Sequence, residues 1–76
     1  MRTSPQNETK RERFKRLASL RTNEVLNRIK ILGNCANRQM YEYSQNDVDK
    51  IFNEISQKLK EAKAKFHFPS REKFKL

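Results

Sequence analysis

The sequence predicts an all-α protein: an antiparallel two-helix hairpin with an ordered connecting loop and basic extended tails. Three observations predict it. Two segments repeat apolar residues at helical spacing. The one glycine, Gly33, falls between them and is followed by Asn34. Both prolines, Pro5 and Pro69, lie outside the two segments. The chain divides accordingly into a flexible N-terminal arm (1–10), a helical hairpin (11–66) and a basic C-terminal tail (67–76).

The arm is polar, with Thr3, Ser4 and Asn7 around Pro5. It lacks the apolar stretch of a secretory signal, and its glutamates argue against an organelle transit peptide. The first helix is read over 11–33. Phe14, Ala18, Val25, Ile29 and Leu32 recur at spacings of 4, 7, 4 and 3, which puts them on one face. Thr22 fills the gap in that stripe. Thr22 and Asn23 are weak helix formers, so a break is expected there if anywhere. Gly33 and Asn34 supply the stop, because both tolerate the left-handed conformation at a helix end.

The second helix is read over 45–66. Ser44 with Asp47 three places on resembles a capping box. Asp47 and Asp49 suit the positive end of the helix dipole, and Lys58, Lys60, Lys63 and Lys65 suit the other. Val48, Ile51, Phe52, Ile55, Leu59, Ala62 and Phe66 form one apolar stripe. Each helix would run about 33 Å, so the two match in length. His67, the single histidine, is read as a helix-end residue near the last carbonyls.

At 76 residues and 34% apolar content, the chain can bury only a thin core. Completion by dimerisation or by docking on a partner is therefore expected. Leu17, Leu20 and Ile31 lie off the main stripe, on a second flank beside Arg13, Arg21 and Arg28. They are the candidate partner-binding residues; the alternative is that the chain's own loop and tail cover them.

The charge bears on what that partner is. Eighteen basic residues against nine acidic ones give +9. Residues 11–33 hold seven cations against Glu12 and Glu24, a net +5, whereas residues 45–66 net only +1. The cations of the first helix are mostly arginine and those of the second all lysine. A guanidinium pairs bidentately with phosphate and stacks on bases; an ammonium is closer to a point charge. The run KRERFKR (10–16) has five basic residues in seven, with Phe14 among them. These features point to nucleic acid, RNA rather than DNA. The candidate contacts on the helix are Arg11, Arg13, Lys15, Arg16, Arg21 and Arg28. A well-solvated helix end would carry the same run.

The eleven-residue connection 34–44 is longer than the usual roughly 2–8. Arg38 can hydrogen-bond a base edge, and Tyr41 and Tyr43 can stack on unpaired bases. Equally, Cys35, Ala36, Met40 and a tyrosine can cap the open end of the hairpin, with Asn34 and Asn37 serving tight turns. In the tail, Arg71 and Lys73 are further phosphate candidates beside Phe68, Phe74 and Leu76. That tail could thread into a ribonucleoprotein or fold back.

No catalytic residue emerges. There is no nucleophile–base pair, phosphate-binding glycine loop, dinucleotide fingerprint or H-E-x-x-H. Asp47 and Asp49 do not share a helix face. One cysteine and one histidine 32 positions apart cannot complete a zinc site, so neither metal nor cofactor is expected. The single cysteine also excludes an intramolecular disulfide and fits a reducing, cytoplasmic setting. No apolar run approaches the ~18 residues of a membrane span.

The strings RTNEVLNRIKILGNCANRQMYEYS, DVDKIF and EAKAKF resemble small bacterial-type proteins with no assigned activity, over residues 20–66. That resemblance implies no site. The expectation is thus a non-catalytic RNA-binding or ribonucleoprotein-associated protein of ribosomal accessory type. The rival is a protein-interaction module or homodimeric regulator, of the kind a mobile element encodes.

Overall fold

Good helix formers predominate in both periodic segments, and neither holds an internal proline. The computed structural model describes residues 7–68. Those residues hold two α-helices, a 3-10 turn that follows the first, and no strand. Helix α1 spans Lys10–Gly33 and helix α2 spans Gln45–Ala64. The chain divides into two units, Met1–Tyr41 and Glu42–Leu76, each with one helix.

In the first unit, α1 begins one residue earlier than its periodicity indicates, because its cap lies in the arm. Thr9 Oγ1 accepts from the Glu12 N–H (3.0 Å), and the Glu12 carboxylate accepts from the Thr9 N–H (3.0 Å). This reciprocal box satisfies two of the orphan donors at the helix start. Glu12 in the first turn and Lys30 in the last both complement the dipole. The helix runs without a break through Thr22 and Asn23. Leu20, Arg21, Glu24 and Leu26 around them are good helix formers and keep the hydrogen-bond ladder continuous.

The end of α1 differs from expectation. Gly33 (φ −60°, ψ −23°) and Asn34 (φ −66°, ψ −17°) are right-handed, and no described residue has positive φ. Instead the ladder tightens into the 3-10 turn Asn34–Ala36. The Asn34 N–H donates back to Ile31, which satisfies a terminal carbonyl without a left-handed residue. Next, Asn37 leaves the helical region (ψ 103°) and builds a turn. Its Oδ1 accepts from the Gln39 N–H (2.9 Å), and its carbonyl accepts from Met40 (3.1 Å) and Tyr41 (2.9 Å). Asn37 thus serves the turn role read from the sequence.

In the second unit, Ser44 and Asp47 make the capping box at 3.0 and 2.9 Å. Tyr43 and Val48 occupy the N′ and N4 positions of a hydrophobic staple, and both are half-buried. Asp49 lies just beyond the first turn and accepts from Gln45 Nε2 (2.9 Å). The helix ends at Ala64, before Phe66. Lys65 and Phe66 donate three residues back, to Ala62 and Lys63 (3.1 Å each), so the last turn tightens and stops.

No described side chain is buried. Leu17, Ala18, Leu32, Tyr43, Val48 and Ile55 are the half-buried apolar residues. Helix α2 separates apolar from polar residues more sharply than α1. The reason is in the winding: Arg21 and Arg28 border the stripe of α1, while Leu20, Leu26 and Ile31 sit off it. Neither helix is long and apolar enough to cross a membrane.

Two substitutions test these helix ends. A methyl at Gly33 would meet nothing within 4 Å, and its backbone is helical. Gly33→Ala is therefore expected to stabilise the end of α1 by about 0.5–1 kcal/mol, read as slower amide exchange over residues 29–34. Faster exchange would mean that a left-handed glycine is required there. Ser44→Ala removes the cap of α2 and is expected to cost about 1 kcal/mol, seen as lost ellipticity at low urea.

Candidate nucleic-acid interface

Winding at about 100° per residue divides the cations of KRERFKR over two flanks of α1. Arg11 and Lys15 project on the side of Phe14. The Arg11 guanidinium lies 5.9 Å from the centroid of the Phe14 ring, within cation–π range. Arg13 and Arg16 project on the opposite flank, over the residue that precedes the cap.

That residue is Glu8. Its carboxylate accepts from Arg16 Nε at 2.7 Å and from Arg16 Nη2 at 2.8 Å, the fork-to-fork geometry of a bidentate pair. Arg13 Nε stands 3.9 Å away. The Glu8 side chain is 13% exposed, whereas those of Arg13 and Arg16 remain more than half exposed. Glu8 occupies the N′ position and Arg13 the N4 position of α1. An ion pair thus stands where α2 places the apolar Tyr43 and Val48.

The Arg16 hydrogen bonds hold the Glu8 carboxyl below the ordinary glutamate range. They outweigh the partial loss of water, which acts upward, and the fields of Arg16 and Arg13 add to them. The same contact keeps Arg16 more firmly protonated than usual.

The remaining α1 candidates are placed by the helix itself. Arg21 and Arg28 are seven residues apart and nearly in line, at the border of the apolar stripe, and both are exposed. Leu20 and Ile31 fall on the Arg13 flank at 54% and 45% exposure, with half-buried Leu17 between them and the stripe. Helical winding thus sets Leu17, Leu20 and Ile31 on one flank of α1. In the connection, Arg38 is exposed within the Asn37 turn, and Tyr41 is 47% exposed. Tyr43 instead sits half-buried at the start of α2. Arg71 and Lys73 lie outside the described residues, as does most of the basic tail.

Cys35 is an exposed free thiol in the 3-10 turn. Among the described residues no group of three or more His, Cys, Asp or Glu side chains could hold a metal ion. Sequence reasoning missed the part played by Glu8. The signal was present in ETKRE: a Thr-x-x-Glu box places the preceding glutamate beside the fourth and seventh helical residues, here both arginine. Comparison with family models, with curated proteins and with solved structures finds no match.

A carboxyl group whose pKa is lowered by folding stabilises the fold only while charged. The Glu8 contribution is therefore present above the ordinary glutamate range and is lost as pH falls through its lowered value. Carboxyl NMR titration is expected to give Glu8 a midpoint below that range, and Arg16→Gln is expected to raise it toward normal, with the field of Arg13 remaining. An ordinary midpoint in the unsubstituted chain would show that the pair does not form in solution.

Proposed function

We propose that this chain is a non-catalytic RNA-binding protein, an accessory component of a ribonucleoprotein in the cytoplasm. Its two helices close as an antiparallel hairpin, with α2 as the spine and α1 as the phosphate-facing rod. The observation that carries this reading is the exposed arginine set of α1, on the helix that holds more than half of the net charge. Arg11, Arg21 and Arg28 present planar donors for phosphate, and Lys15 adds charge between them. Arg16 already holds a carboxylate in a bidentate fork, the geometry in which it would take a phosphate. Arg38 and exposed Tyr41 extend the strip toward the connection, where an unpaired base could stack.

The absence of any buried side chain among the described residues favours a second element in this reading. The apolar surfaces of both helices need cover, so the protein works as part of an assembly. Leu17, Leu20 and Ile31 supply a docking flank for a protein component beside the RNA.

The full chain is expected to bind RNA at low ionic strength, with affinity falling linearly on a log–log plot against salt. The slope is about −0.7 per phosphate neutralised on a single strand. Replacing Arg21 and Arg28 by glutamine should reduce the slope by about 1.4 and weaken binding similarly across sequences. Failure of the chain to bind any RNA at low ionic strength would overturn the proposal.

A further inference from the structure

We infer that the apolar face of α2 is a self-association surface, covered by α2 of a second copy lying antiparallel to it. The first argument is register. Within α2, Val48, Phe52, Ile55, Leu59 and Ala62 alternate spacings of 4 and 3, the repeat of a coiled-coil seam. Pairing that seam with itself, head to tail about its midpoint, sets Ile55 against Leu59 of the second copy. Phe52 then meets Ala62, and Val48 lies beside the chain just past the end of α2 of the second copy. The largest side chains fall opposite smaller ones, so each layer is filled without two phenylalanines colliding. A parallel pairing would instead stack Phe52 on Phe52 and leave Ala62 facing Ala62.

The second argument is charge. The first half of α2 carries Asp47, Asp49 and Glu54 against Lys50. The last turns and the cap carry Lys58, Lys60, Lys63 and Lys65 against Glu61. Antiparallel pairing lays the acidic half of each copy on the basic half of the other, and Asp49 comes to flank Lys63 twice. Parallel pairing would oppose like with like. Lys58 meets its own counterpart near the two-fold axis, but Glu61 lies 3.4 Å from it within the same chain and offsets that charge.

The seam is available. Phe52 and Leu59 are 48% and 55% exposed. A stripe roughly 100° wide is broad enough for two neighbours, as in a four-helix bundle. The pairing therefore coexists with the proposed hairpin and does not rest on RNA binding.

The test is sedimentation of the full chain without nucleic acid over a range of concentration. A reversible dimer of the 9.2 kDa chain is expected. Asp49→Lys alone, or Lys63→Asp alone, should weaken the dimer about tenfold, since attraction turns to repulsion at two symmetric places. The double variant should recover it, although both changes oppose the helix dipole and lower the helicity of α2. A wild-type chain that stays monomeric overturns the inference. A dimer that the double variant fails to recover overturns the antiparallel register.

Discussion

Apolar side chains at helical spacing do two things at once: they define a helix face, and they make that face costly to leave in water. In this chain the two are separated. Both helices are closed by local means, with reciprocal capping boxes at Thr9–Glu12 and Ser44–Asp47 and suitable charges in the first and last turns. Those devices act within a few residues and need no tertiary partner. What they cannot do is cover Phe14, Val25, Ile29, Phe52 or Leu59, all of which stay exposed. Helices longer than five turns are stable in proteins mainly through packing of an amphipathic face. The local devices that close each helix thus leave its apolar face uncovered among the described residues.

That constraint explains why the ends of the helices were legible in the sequence and the packing was not. Ser44-x-x-Asp47 fixes a start from four residues, and the structure places the cap where the pattern puts it. The Thr9 box has the same form, but it is masked by the polar arm that surrounds it. The stop at Gly33 was legible only as a position. Glycine permits a left-handed residue without requiring one, and the Asn34–Ala36 turn satisfies the carbonyls by a tighter ladder. Asn37 was readable because its side chain can reach its own backbone two residues on. Which faces meet is a long-range matter, and two stripes of similar width do not state whether they close on each other or on another molecule.

The candidate interface shows a parallel division. Composition located the charge on α1 and its arginine character, since both are sums over residues. It could not show that Glu8 takes up Arg16, because that depends on where the arm turns into the helix. The pair is exposed on its arginine side and lies in water's reach, so it is an exchangeable contact rather than a fixed strut. A tetrahedral phosphodiester can also present two oxygens to the guanidinium fork, with the same single negative charge as the carboxylate. A polyanion arriving at α1 would thus compete with Glu8 for Arg16.

The unequal charges of the two helices make the two proposed surfaces compatible. Two copies of a +9 chain repel each other through the solvent. Helix α2, whose charges cancel between Gln45 and Ala64, is the one with the sharper apolar face and the oppositely charged ends, so approach through it meets the least repulsion. An RNA bound along α1 would neutralise much of the repulsion that remains. Dimer formation and RNA binding would then favour each other through charge alone, with no change in conformation at either surface. The arrangement of arginine on one rod and balanced lysine and carboxylate on the other is what such coupling requires.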